Sequence, residues 1–272
     1  MAPNRTERGG MRRRSNWSIT IITLSMLVGC KSNDARKEVQ ADKAVSVTSP
    51  TSAMPDPTTE GMISGVINFS GHAPAPVKID MSMDPVCTMT GGDNFAEQYV
   101  VHNGKLANVY VYVKSGPPVA MSASSSMPLP VVIDQIGCKY VPHVVAVMRG
   151  GSIEFRNSDS TMHNIHTLPT DGNPSIDISQ APKGSPQVKQ FNQPEVMMPV
   201  RCNNHPWMNA FINVSATPFF AVTGPDGRFS LRGLPAGTYT LAAVHEKMGE
   251  QTLTVTVEPQ GTAKADFNFG IK

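Results

Sequence analysis

Three observations predict an all-β chain. From Gly61 onward the apolar residues alternate in short runs between turn residues, and no stretch carries a convincing helical period. The composition holds 22 Gly and 23 Pro in 272 residues, a turn-rich balance that stops short of a disordered chain. The runs at 62–69, 109–113, 130–133, 144–148, 152–157, 196–200 and 209–214 read as strands. In the run 152–157, Ile153 and Phe155 face one way and Glu154 and Arg156 the other, the alternation of a strand with one buried face. Strands at this spacing suggest a sandwich. The Ser- and Pro-rich stretch 121–130 reads as a loop. After Pro218 the Asp226-Gly227 pair signals a tight turn, followed by strands at 228–231, 238–244 and 253–257.

The formal charge of +2 is carried by the first 29 residues, which hold five Arg and one acid, Glu7. Without them 18 basic residues face 20 acidic ones, a net charge of −2. A nearly neutral chain lacks the basic field that a phosphate backbone requires, so nucleic acid is not an expected partner. Arg14 is followed by the apolar run 17–28, too short to span a bilayer, which takes about 20 residues. Basic, then apolar, then small residues is the order of an export signal. Its end, Leu27-Val28-Gly29-Cys30, resembles the lipobox of bacterial lipoproteins. That resemblance implies that residues 1–29 are a signal peptide and that Cys30 is lipidated. The chain would then be an exported, membrane-anchored lipoprotein facing the periplasm or cell surface; the alternative is a chance cysteine after an ordinary signal. Residues 30–59 lack apolar periodicity and read as a flexible tether.

Chemistry concentrates in Cys202-Asn-Asn-His205-Pro206-Trp207-Met208 and, upstream, in His163-Asn164-Ile165-His166. Two imidazoles and a thiolate in a plane, with a weak thioether on the axis, suit a copper ion cycling between Cu(I) and Cu(II). The expected strands place both segments at one pole of the sandwich: His163 follows the run ending at Asn157, and Cys202 to Met208 lie between the runs at 196–200 and 209–214. His166 is an alternative to His163 as the upstream ligand. His72, His102, His143 and His245 have no partner at metal spacing.

At these residues the sequence resembles the cupredoxins, the small blue copper proteins, of the amicyanin and plastocyanin type. The Cys-x2-His-Pro-aromatic-Met loop, the His-Asn-Ile-His segment and Lys139-Tyr140-x-Pro142 before a Gly150-Gly151 turn carry the likeness, which covers about residues 130–216. It implies a Greek-key β-sandwich with His163, Cys202, His205 and Met208 holding one type 1 copper. It also implies that Asn164 braces the two ligand loops from outside the ligand set. In the family the second imidazole emerges in an apolar surface patch and serves as the electron port. Here that port would be His205 with Pro206, Trp207 and Met162. The string from Asp226 to Leu241 is similar to the carboxypeptidase regulatory-like domain, a small transthyretin-like sandwich without catalytic residues.

The expected organisation is a cupredoxin-like domain over 60–216, with core 130–216 and an N-terminal β extension at 60–120, then the small sandwich at 217–272. With Cys30 lipidated and Cys202 metallated, Cys87 and Cys138 remain, and in an oxidising compartment they are expected to pair. That bridge would pin the N-terminal extension onto the central sheet; the rival is a second metal site using Cys87, Cys138 and His143. No paired carboxylates or Ser-His-Asp set can be read, so the expected role is electron carriage and not catalysis. Its partner would be a redox protein such as a c-type cytochrome or a dehydrogenase, and the carrier itself a monomer. The rival functions are copper capture or delivery without redox turnover, and a structural sandwich with a vestigial site.

Overall fold

A computed structural model describes residues 59–89, 94–125 and 129–271 of the chain. The signal sequence, Cys30 and all but the last residue of the tether lie outside the described residues. Among those described, no helix is long and apolar enough to cross a membrane. The all-β class is as expected: the described residues form nineteen strands and two short helical turns, Pro85–Met89 and Pro118–Met121.

The alternation read in the sequence becomes two separate cores. The central core lies between a five-stranded and a four-stranded sheet. The larger sheet contains Val144–Met148, His163–Thr167, Asp177–Gln180, Glu195–Arg201 and Asn209–Ser215. The smaller contains Val131–Gln135, Tyr140–Val141, Ser152–Asn157 and Gln187–Gln190. Ile153 and Phe155 point inward, both 0% exposed, and pack with Ile133, Ile165 and Ile212. The strands next to His163 and Cys202 follow from this arrangement, because Glu195–Arg201 is hydrogen-bonded on one side to His163–Thr167 and on the other to Asn209–Ser215.

The second core corrects the expected organisation. Strand Gly61–Ser70 does not extend the central sheets. It pairs antiparallel with Arg228–Leu234 and parallel with Thr262–Lys264 and Phe267–Gly270. Tyr110–Ser115 likewise lies between Phe220–Val222 and Gly237–His245. Ile63, Ile67, Val111 and Val113 therefore share a core with Phe229, Leu241, Phe267 and Phe269. The physical reason is size: about 50 C-terminal residues bury too little apolar surface alone, and strands from the N-terminal segment close their sandwich. The central sandwich is thus inserted between the two halves of a terminal one. Close approach at the seam needs glycine, since a Cβ on Gly65 would sit 1.8 Å from the Ala265 carbonyl oxygen. The Asp226-Gly227 turn forms as read, with Gly227 at φ +66°.

Only a short piece of the N-terminal segment reaches the central core. The Cys87–Cys138 disulfide forms, and Met81 and Cys87 are buried there. Ile79 packs at the edge of that core. The bridge pins the stretch 78–89, not the whole extension, and Cys87 and Cys138 are no longer available as thiolate ligands. His143, the third residue of the rival metal site, instead pairs with Glu246 at 2.6 Å.

Candidate metal centre

Two loop regions deliver the donors. His163 opens the strand His163–Thr167, and Cys202 follows the strand Glu195–Arg201 directly. The Cys202 to Met208 loop is closed by its own backbone. The Met208 amide donates to the His205 carbonyl at 2.9 Å, and the Cys202 amide donates to the Met208 carbonyl at 3.3 Å. His163, Cys202, His205 and Met208 are all buried, none more than 4% exposed. His163 Nδ1 and His205 Nδ1 are 3.0 Å apart, and Cys202 Sγ lies 3.5 Å from His205 Nδ1. The three side chains form one group with metal-binding spacing. Two further groups of that spacing, Asp84 with Cys87 and His205, and Cys138 with Asp159 and His163, each include a disulfide-bonded cysteine. Among the described residues Cys202 is the free cysteine, so only the first group offers a thiolate.

Asn164 ties the segment of His163 to the Cys202–Met208 loop. Its backbone N–H donates to Cys202 Sγ at 3.3 Å, and its side-chain carbonyl accepts from the Asn203 amide at 3.4 Å. Its Nδ2 donates to Asp177 and to the Ile178 carbonyl. Tyr140, from the Lys-Tyr-x-Pro segment, donates its hydroxyl to the Asn164 carbonyl. His166 is not in the cluster; its Nδ1 lies 3.0 Å from Asn203 Oδ1, and it is partly exposed.

Two carboxylates that the sequence reading did not single out stand behind the imidazoles. Asp159 Oδ2 is 2.9 Å from His163 Nε2, and its oxygens also accept from the Gly137 and Cys138 amides at 2.8 Å. Asp84 Oδ2 is 2.9 Å from His205 Nε2. An ionised carboxylate can only accept, so each Nε2 donates to its carboxylate and the two Nδ1 atoms face each other, that of His205 also facing the thiol. A local signal existed for Asp159, four residues before His163. For Asp84 it was fainter: Asp84-Pro85 starts the turn that holds Cys87.

The electrostatics follow from these contacts. Burial pulls the His163 pKa down, but the Asp159 hydrogen bond and Cys202 outweigh it and raise it to about 8. Burial pushes the Cys202 thiol up, yet hydrogen bonds from His163, the Asn164 and Asn204 amides and His205 bring it to about 7. The Asp84 carboxyl, opposed by burial, is held at about 2 by His205, Thr161 and the Val86 and Cys87 amides. The lowered thiol pKa reduces the cost of forming the thiolate, whereas the raised His163 pKa means that this ring must give up a proton before a cation binds.

The expected electron port needs correction. Pro206 is exposed and Met162 is 49% exposed, but His205 is only 3% exposed. Its outer edge is covered by Asp84 and by Cys87, whose Sγ lies 3.8 Å from Nε2. Trp207 packs against the ring at 5.1 Å between centroids, and its Nε1 donates to the Cys138 carbonyl at 3.1 Å.

The family model of the carboxypeptidase regulatory-like domain matches residues 201–270. No curated protein matches the chain. Among solved structures, a Cu-containing nitrite reductase from Thermus scotoductus aligns at 25% identity and TM-score 0.30, over 36% of this chain and 25% of that one. A Cu(I) form of an amicyanin mutant aligns at 18% identity and TM-score 0.29, over 39% of this chain and 98% of that one. A purple cupredoxin from Nitrosopumilus maritimus aligns at 21% identity and TM-score 0.27, over 31% of this chain and 99% of that one.

Proposed function

We propose that His163, Cys202, His205 and Met208 hold a single type 1 copper ion, and that the protein carries single electrons. One observation carries the reading: a free buried cysteine and two imidazole Nδ1 atoms converge at 3.0–3.5 Å from two separate stretches of chain. Thiolate with imidazole is a donor set suited to copper, and such an ion supplies one-electron chemistry when bound. The residues around it keep the donors in place. Asp159 and Asp84 orient the rings, Asn164 spans both loops, and the packed core limits rearrangement on oxidation or reduction.

On this reading the chain acts outside the cytoplasm, anchored through Cys30 and exchanging electrons with a redox protein such as a c-type cytochrome or a dehydrogenase. The Cys87–Cys138 disulfide supports an oxidising compartment. The burial of the His205 edge favours a second reading, copper capture or delivery without redox turnover. Reversible reduction and reoxidation of the copper-loaded protein separates the two, since a carrier cycles without releasing the ion.

The test is copper titration of the full chain followed by visible absorption. One equivalent of Cu(II) is expected to give an intense thiolate-to-copper band, and Cys202→Ser is expected to abolish it. Failure to bind stoichiometric copper, or a band that survives Cys202→Ser, overturns the assignment.

A further inference from the structure

The stretch 78–89 lies outside the strands of both sandwiches, yet it ends on the candidate metal centre. We infer that Asp84 is a positioning residue for His205, and that the disulfide-pinned stretch around it covers the edge through which that imidazole would otherwise meet solvent and partners. The inference rests on the copper reading for its consequence, but not for its geometry.

One carboxylate joins three pieces of chain. Asp84 Oδ1 accepts from the Val86 amide at 2.8 Å and the Cys87 amide at 3.4 Å, capping the helical turn Pro85–Met89. Its Oδ2 accepts from Thr161 Oγ1 at 2.9 Å, two residues before His163, and faces His205 Nε2 at 2.9 Å. The cap fixes the carboxylate, and the carboxylate fixes the ring. With Nε2 donating to Asp84, the His205 lone pair is confined to Nδ1, the atom 3.0 Å from His163 Nδ1. The disulfide from Cys87 to Cys138 keeps the turn in place from its other end. Cys138 is itself tied to the first histidine, because its amide donates to Asp159. Backing carboxylates of this kind commonly set ligand orientation and contribute about 10- to 100-fold to metal affinity.

The cover has a consequence for electron exchange. A small outer-sphere reagent cannot touch the His205 ring while Asp84 and Cys87 stand on it. Removing the cover is expected to speed exchange even though the ligands are untouched.

Three variants of the full chain test this: Asp84→Ala, Asp84→Asn, and Cys87→Ser with Cys138→Ser. The first readout needs no copper. Nitrogen-15 NMR of the metal-free protein is expected to show His205 as a single Nε2–H tautomer with slow proton exchange. Asp84→Ala is expected to give mixed tautomers and faster exchange. Asp84→Asn has one accepting oxygen for the two sides that Asp84 serves; with that oxygen on the Val86 and Cys87 amides its Nδ2 faces His205, so this variant too is expected to lose the single Nε2–H tautomer. The second readout is copper affinity, expected to fall about 10- to 100-fold in Asp84→Ala. The third is the rate of oxidation of the copper-loaded protein by hexacyanoferrate, expected to rise in Asp84→Ala and in the double serine variant. An unchanged His205 tautomer and exchange rate in Asp84→Ala overturns the inference, whatever the copper result. Absence of copper binding in the unmodified chain would instead defeat the functional reading and leave the positioning role to be judged by NMR alone. Asp84→Ala keeps the disulfide, so a double serine variant that fails to fold does not decide the matter.

Discussion

Two buried histidines, one in each sandwich, show how differently the two halves of the molecule treat a polar group. His245 ends the strand Gly237–His245 of the terminal sandwich, is 1% exposed, and packs near Tyr99 and Phe269. Among the described residues its Nε2 has no hydrogen-bond partner. Burial, helped by His143 and Lys247 and only partly opposed by Glu246, pushes its pKa down to about 4. His163 in the central sandwich is fully buried too, yet Asp159 and Cys202 overcome the burial and raise it to about 8. Burial alone does not decide a charge state; an anionic partner at hydrogen-bond distance does. The terminal core is a packing of Ile, Val, Leu and aromatic rings, whereas the central one encloses Asp159, His163, Asn164, Cys202 and His205 beside its apolar residues. Asp159, His163 and Cys202 are all shifted, and buried groups with shifted pKa values tend to cluster at functional sites.

The sharpest way to break this contrast is to damage the terminal core and watch the metal site. Phe269 is 1% exposed, and Phe269→Ala is expected to cost about 3–5 kcal/mol in chemical unfolding. The copper band should survive wherever the variant is folded. A folded variant without the band would show that the two regions do not divide the work.

Acid sharpens the contrast further. A histidine whose folded pKa is depressed stabilises fully above its unfolded value and loses that contribution as pH falls through the folded one. For His245 the window runs from 6.5 down to about 4, and a shift of that size corresponds to roughly 3 kcal/mol. Unfolding of the metal-free protein followed across that window should show stability falling with acid, and His245→Phe should flatten this part of the profile. An unaltered profile would assign the acid sensitivity to other groups.

The smallest effect concerns His166, the alternative ligand. It touches Asn203 and is partly exposed, so His166→Ala should leave the copper spectrum unchanged and shift stability by less than about 0.5 kcal/mol. Loss of the band would move the upstream ligand from His163 to His166.

Much of the site was legible because its cause is local. The Cys202 to Met208 spacing, the His163-Asn164 pair and the strands on either side are all encoded within a few residues of each other. The all-β class was legible for the same reason, through period-2 alternation. What the sequence concealed is long-range. No local pattern says that Gly61–Ser70 will pair with Phe267–Gly270 across the whole described chain, because that pairing is decided by which apolar faces remain uncovered once the central sandwich closes. Nor does a pattern place Asp84 on His205, 121 residues away. The Cys87–Cys138 bridge holds the same stretch of chain, and the contact is why a ring expected at the surface lies beneath a cover.

X-ray absorption at the copper edge of the loaded full chain tests the central claim most directly. The account predicts one sulfur at short distance and two imidazole nitrogens around a single ion, with the short sulfur lost in Cys202→Ser. A shell of nitrogen and oxygen alone in the unmodified protein would contradict it.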